Sequence, residues 1–229
     1  MSQTDPTNTL RDRLIDIFDN DSIQDFQQFM ASSKDLMSCY RCAIMEIETK
    51  FRVLNERFSL AHDRNPIDDI QSRLKSPESI RDKLLRKNLP FTLEAIEQNI
   101  FDIAGVRIVC SFIDDIYMLA DCLLKQDDIK LIKRKDYIKQ PKKNGYRSLH
   151  LIVEVPIFLQ DTKKIMKVEV QFRTIAMESW ANLEHQLRYK KSLPADILEK
   201  TEKRLSDCAK MSSLLDTQMQ EIKDVIENA

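Results

Sequence analysis

Residues 167–174 read KVEVQFRT, and the residues that follow, IAMESWANLEH at 175–185, change period. In the first stretch, alternation places Glu169, Gln171 and Arg173 on one side of a strand and Val168, Val170 and Phe172 on the other. From Ile175 onward, Ala176, Trp180, Leu183 and Leu187 return at helical spacing. A strand that is apolar on one face and runs straight into an amphipathic helix calls for a sheet with helices packed against it.

Upstream of this stretch the period of two recurs. Residues 103–112, 129–137, 147–158 and 165–174 are rich in Ile, Val, Phe and Tyr and predict four strands, with a helix at 113–126 between the first pair. Residues 7–62 are helical in character. Leu10, Leu14, Ile15 and Phe18 precede a break at NDS (20–22), and a second pattern runs from Phe26 through Tyr40, Ile47 and Phe51 to Phe58. The DRNPIDD stretch at 63–69 ends that pattern. Ser76 and Pro77 in SPES predict the start of a helix that continues to about Asn88. After KKSLP a last helix carries Leu198, Leu205, Met211, Leu215, Met219, Ile222 and Ile226.

The sequence therefore predicts an α/β (α+β) fold, a mixed β-sheet flanked by helices. A single domain is expected over 1–229: N-terminal helices at 1–62, a catalytic core at 63–190 and a C-terminal helix at 194–229 for oligomerisation. The terminal helices are long for the sheet they could cover, so partner helices from identical subunits are expected.

Charge narrows the function. The 36 basic and 37 acidic residues nearly cancel, so no global excess recruits nucleic acid or an anionic membrane. The N-terminal stretch lacks the pattern of a signal peptide, and no 18 apolar residues run together, so a soluble cytoplasmic protein is expected. Cys39 and Cys42, with two residues between them, could supply at most half of a zinc site, and the three histidines (His62, His150, His185) are scattered. Reduced thiols are the plain reading.

Local charge is less balanced. KLIKRKDYIKQPKKNGYR at 130–147 holds eight Lys or Arg and one acid, a net of +7. It ends in Gly145-Tyr146-Arg147, where one of only two glycines in the chain lets the loop turn and present an aromatic ring able to stack on a nucleobase. The same run could equally be a solvated surface loop. A second basic patch, RLKSPESIRDKLLRK at 73–87, places Ser79, Lys83 and Arg86 on one helix face near its N-terminus, a set that suits a polyphosphate. Asp102 is read as opening a strand in which Gly105 permits close approach and Arg107 interrupts an apolar run. Asp102 and Glu169, on neighbouring strands, could hold one magnesium ion while the basic stretches hold phosphate oxygens.

DIAGVRI, the basic stretch ending in PKKNGYRSLH, VEVQFRT and WANLEH, in this order and spacing, resemble the synthetase domain of the RelA/SpoT alarmone enzymes. The likeness covers roughly residues 40–225, and the chain length is similar to that of the small alarmone synthetases, the RelP-like branch in particular. The resemblance implies a fold related to nucleotidyltransferases, assembly as a homotetramer through the terminal helices, and a dependence on Mg2+. It implies transfer of the β,γ-pyrophosphate of ATP to the 3′-hydroxyl of GDP or GTP, giving ppGpp or pppGpp and AMP.

By the same resemblance, Asp102 and Glu169 are the magnesium ligands. Glu169 also orients or deprotonates the attacking hydroxyl, and Gln171 supports it. Arg73 and Arg107 sandwich adenine, while Ser79, Lys83 and Arg86 hold the ATP phosphates. Tyr146 stacks on guanine, and Lys135, Lys142 and His150 bind the acceptor's phosphates. Glu178 falls where relatives carry a neutral amide near the guanine edge; it either accepts the N1–H and 2-amino group of guanine or faces solvent on its helix. The hydrolytic metal motif of the large relatives has no counterpart beyond AHD at 61–63, so synthesis without hydrolysis is expected, with His62-Asp63 a helix end. An RNA or nucleotide regulator is a further expected partner. Two competing readings are an RNA-binding module using the 130–147 stretch and a catalytically idle assembly protein.

Overall fold

The computed structural model describes residues 20–61, 64–188 and 195–229. Contacts divide the chain into two units, Met1–Cys39 and Tyr40–Ala229. The described part of the first is helical and belongs to α1, Asn20–Ala61. The NDS triplet forms the first turn of α1, and the four apolar residues ahead of it lie outside the described residues, as do His62, Asp63 and the KKSLP linker.

The second unit is built on a five-stranded sheet in the order β1-β2-β5-β4-β3. Its strands are β1 (Ile67–Leu74), β2 (Ala104–Cys110), β3 (Lys130–Asp136), β4 (Leu149–Phe158) and β5 (Lys163–Thr174). β2 and β5 run parallel, and every other neighbouring pair is antiparallel. The mixed sheet is as expected, but it has one strand more than the four read from the sequence. β1 is the addition, an edge strand in which Ile67 is the only buried residue. β3 forms the other edge.

Burial sorts the strands by face. Val168, Val170 and Phe172 of β5, Val106 and Ile108 of β2, and Leu149, Leu151, Val153 and Val155 of β4 are all buried. α4 (Ile113–Leu124) adds Ile116, Leu119, Ala120 and Leu123 to this core. The Tyr40–Ala61 part of α1 contributes Ala43, Ile47 and Phe51, each four residues from the next, and the Phe51 ring meets Phe172 edge-on at 5.6 Å.

Between β1 and β2 lie α2 (Pro77–Arg86) and α3 (Leu93–Asn99). α2 begins as its sequence requires: Ser76 accepts a hydrogen bond from the Ser79 amide, Pro77 occupies the first turn, and Ile80 and Leu84 are buried. Asn88, at φ 53°, lies just beyond its C-terminal end. α5 (Ile175–Arg188) follows β5 with no intervening loop, and α6 (Ala195–Glu227) packs on it.

Candidate active site

Strand register assembles the polar face in two rows. Gln71, Arg107, Gln171, His150 and Lys135 stand across β1, β2, β5, β4 and β3 in one row, and Arg73, Gly105, Glu169, Ile152 and Lys133 form the next. Side chains directly opposite one another project to the same side of a sheet, so residues scattered from 71 to 171 share one surface. Asp102 belongs to this surface but does not open a strand: it lies in the segment just ahead of β2. Its charge interacts with that of Glu169, so the two carboxylates are neighbours.

Each carboxylate is held by a different set of partners. Asp102 Oδ2 accepts from Lys75 Nζ at 2.9 Å, and Lys83 Nζ stands 2.7 Å from Oδ1. That Oδ1 is buried and accepts no well-aligned hydrogen bond. Burial alone would push the Asp102 carboxyl up, but Lys83 and Lys75 outweigh it and hold it below the usual carboxylate range. Glu169 lies 3.2 Å from His150 Nδ1 through Oε1 and accepts from Gln171 Nε2 at 2.8 Å through Oε2. Its burial and the Asp102 charge push it up, yet His150 and Gln171 bring it below its ordinary value. Both groups are ionised at neutral pH.

From Glu169 a hydrogen-bonded chain continues outward. His150 Nε2 is 2.8 Å from the Tyr146 hydroxyl, which accepts from Arg173 Nη2 at 2.7 Å. Tyr146 therefore engages the carboxylate site through its hydroxyl, while its ring packs beside Trp180, Ala181 and Ala209. Lys142 Nζ lies 4.5 Å from the centre of that ring and 4.7 Å from that of Tyr137. Tyr137 and His150 meet edge-on at 5.3 Å. A cluster of two phenol rings, an imidazole and an ammonium thus forms beside Glu169.

Glu178 does not face solvent. It is 7 % exposed and bridges two arginines, Arg107 Nη1 at 2.9 Å through Oε1 and Arg173 Nη1 at 2.7 Å through Oε2, with Asn182 Nδ2 also donating to Oε1. Burial raises its carboxyl, and the charges of Arg173 and Arg107 override that and keep it lowered. Arg107, which interrupts an apolar strand, is thereby explained within the protein: it projects to the polar face and reaches Gln171 as well as Glu178.

The phosphate-binding set read on α2 is only partly gathered. Lys83 reaches Asp102, Ser79 is engaged by the Ser76 cap, and the exposed Arg86 folds back onto the carbonyl of Asp82. Arg73 is exposed on the edge strand opposite Gly105. Lys135 lies opposite His150, at the far edge. Gly105 is not held to glycine by space, because a β-carbon there would meet only the Arg73 carbonyl at 3.5 Å, an ordinary contact. Gly145 is: its φ is +91°, and a β-carbon would fall 2.3 Å from that of Ala209.

Lys75, Tyr137 and Arg173 complete the cluster although no role was expected for them. Arg173 had a legible signal, since alternation aligns it with Glu169 and Gln171. Lys75 and Tyr137 lie just beyond strand ends, where no period assigns a face. Among the described residues, no three His, Cys, Asp or Glu side chains gather to hold a metal ion, and no helix is long and apolar enough to cross a membrane.

Two neighbouring ionised carboxylates, one held by two ammonium groups and the other by an imidazole and an amide, with two arginines on the same face, form a site suited to phosphate-bearing ligands. Residues 72–193 match the region found in RelA / SpoT proteins. The chain is 42% identical over 205 residues to GTP pyrophosphokinase YwaC of Bacillus subtilis, covering 90% of this chain and 97% of that one. It is 38% identical over 190 residues to GTP pyrophosphokinase YjbM of the same organism, covering 83% and 88%. The crystal structure of small alarmone synthetase 1 from Bacillus subtilis bound to its product pppGpp superposes with a TM-score of 0.77 at 36% identity, covering 86% of this chain and 99% of that one. The chain belongs to the RelA/SpoT family.

Proposed function

We propose that this protein is a GTP pyrophosphokinase, a (p)ppGpp synthetase. It transfers the β,γ-pyrophosphate of ATP to the 3′-hydroxyl of GDP or GTP, giving ppGpp or pppGpp and AMP. The observation that carries the reading is that Asp102 and Glu169, both ionised, are neighbours held by separate partners, Lys75 and Lys83 on the first and His150 and Gln171 on the second. Two polyphosphates of like charge can share a cleft only if each meets its own cations. Lys75, Lys83 and the α2 side chains serve the donor; Lys142, His150 and Lys135 serve the acceptor. The names of YwaC and YjbM and the pppGpp complex of small alarmone synthetase 1 support the assignment.

In the reaction the acceptor 3′-oxygen bonds to the β-phosphorus as the bond from that phosphorus to the AMP oxygen breaks. The hydroxyl proton passes to the Glu169 carboxylate, and from it to solvent, as the new bond forms. A lowered carboxyl is a weak base, so Glu169 acts first by accepting the hydroxyl's hydrogen bond and aiming its oxygen; Gln171 and His150 fix the carboxylate for that task. Tyr146 stacks on guanine, Arg73 and Arg107 flank adenine, and Glu178 reads the guanine edge after exchanging one arginine for the base.

Asp102 and Glu169 fit a magnesium ion. Both are anionic, and the buried Oδ1 of Asp102 has spare acceptor capacity. Mg2+ is satisfied by one or two carboxylates when phosphates and water complete its shell. When bound, it supplies positive charge to the phosphate oxygens and the departing AMP.

The same reading includes a homotetramer, a cytoplasmic location and synthesis without hydrolysis. It keeps the division into N-terminal helices, core and C-terminal helix, and an RNA or nucleotide regulator. Exposed Met211, Leu214, Leu215, Met219 and Ile222 along α6 support assembly. Incubation with ATP, GDP or GTP, and magnesium, with each omitted in turn, tests the activity by anion-exchange separation of products. AMP appearing in step with ppGpp or pppGpp only in the complete mixture is expected; no guanosine product in any mixture overturns it.

A further inference from the structure

Helix α6 enters the sequence as an oligomerisation element, yet its inner face touches the loop that presents Tyr146. Ala209 stands where any β-carbon on Gly145 would have to go. Four residues earlier, Leu205 packs on the cluster that holds the Tyr146 ring, and its carbonyl accepts from Trp180 Nε1 at 3.1 Å, tying α6 to α5. Two turns after Ala209, Asp216 Oδ2 accepts from Arg147 Nη1 at 2.8 Å, with side-chain exposures of 5% and 9%. The spacing 205, 209, 216 keeps all three on one helix face. From α5, Glu184 accepts from Asn144 Nδ2 at 3.4 Å. Residues 144–147 are thus gripped one after another by two helices outside the sheet.

A buried carboxylate is costly to keep charged, and this one is held from two sides, by Arg147 and by a side-chain hydrogen bond from Thr174 at the end of β5, where the strand runs into α5. Its partner Arg147 is covalently next to Tyr146. We infer that Asp216 and Ala209 are positioning residues for the acceptor nucleotide: α6 clamps the 144–147 turn, and the clamp sets the place of the Tyr146 ring. The inference rests on Tyr146 being the acceptor's ring. It makes α6 part of the acceptor site, so that whatever moves α6 changes guanine-nucleotide affinity before it changes ATP affinity.

The test is steady-state kinetics on full-length protein, with oligomeric state followed by light scattering. Asp216→Asn keeps the shape and removes the charge, whereas Ala209→Val pushes on Gly145 without altering charge. Each is expected to raise KM for GDP and GTP by about five- to fifty-fold, the scale on which a misplaced positioning group acts. KM for ATP should move less than about twofold, and kcat at saturating acceptor should be nearly kept. Asp216→Glu should restore most of the acceptor affinity. Equal rises in both KM values, or no rise for the acceptor, would overturn the inference. Hydrogen exchange on the wild type supplies an arm that needs no variant: GDP alone should slow exchange at 142–148 and at 205–217 together. Protection of the loop without α6 would refute the clamp. A wild type that makes no guanosine product removes the proposed function itself, an outcome distinct from all of these.

Discussion

Removing Glu178 tests whether its bridge is as central as the geometry makes it. In Glu178→Ala two guanidiniums lose their shared carboxylate. The Arg107 side chain is 28% exposed and can recruit water, but that of Arg173 is 6% exposed and its Nε already lacks a partner. Breaking a buried ion pair from one side costs about 3–5 kcal/mol, and partial rescue of Arg107 by water puts the expected loss near the lower end, about 3–4 kcal/mol. For a chain of this size each kcal/mol lowers Tm by about 2–4 °C, so thermal unfolding followed by circular dichroism at neutral pH should show a fall of roughly 6–16 °C at matched protein concentration. Glu178→Gln keeps the volume and one acceptor and should lose about half as much.

The loss should also depend on pH in a defined sense. The Glu178 carboxyl is lowered in the fold, so its contribution is complete above the ordinary value of 4.5 and disappears as pH falls through the lowered folded value. Wild type and Glu178→Ala should therefore converge in acid. An alanine variant that unfolds within about 2 °C of wild type at pH 7 would refute the reasoning, since it would mean that water already satisfies both arginines.

Three further outcomes are expected. Glu169→Gln should abolish synthesis while leaving the circular dichroism spectrum unchanged, and normal turnover by that variant would remove Glu169 from the chemistry. Tyr146→Ala should raise KM for the guanine nucleotide by roughly five- to a hundred-fold, the worth of one stacked base, and that for ATP far less; equal effects would contradict the stacking assignment. Tyr117, whose burial and nearby Asp136 push its hydroxyl up to about 12, should stay protonated in an ultraviolet titration at a pH where a free phenol, at about 10, is already ionised. Its stabilising effect is whole below pH 10 and is lost as pH rises towards 12.

The sequence showed the fold wherever one face of a strand meets the core. Val168, Val170 and Phe172 alternate with polar residues, and all three are fully buried. β1 escaped because an edge strand needs little apolar surface. Its Ile67, Ile70 and Leu74 are three and four residues apart, a spacing closer to a helix turn than to a pleat. The site was legible in the same uneven way. Period two put Glu169, Gln171 and Arg173 on one face, but Glu178 looks like any acid in a first helical turn, where the helix dipole favours one at the surface. Its burial follows from two arginines arriving on different strands. Asp216 is still less readable: it sits in an ordinary helical stretch 69 residues from Arg147, and only the packing of α6 brings them together.

The edge position of β3 has a consequence for solubility. An outermost strand leaves a row of backbone donors and acceptors open to strand addition by another molecule, the usual first step of sheet-to-sheet aggregation. Along β3, Lys130, Lys133, Arg134 and Lys135 are all exposed, so two such edges approaching each other meet as like charges. The basic residues of this edge therefore keep the protein from polymerising through its own sheet. A variant stripped of them to weaken nucleotide binding would tend to aggregate as well.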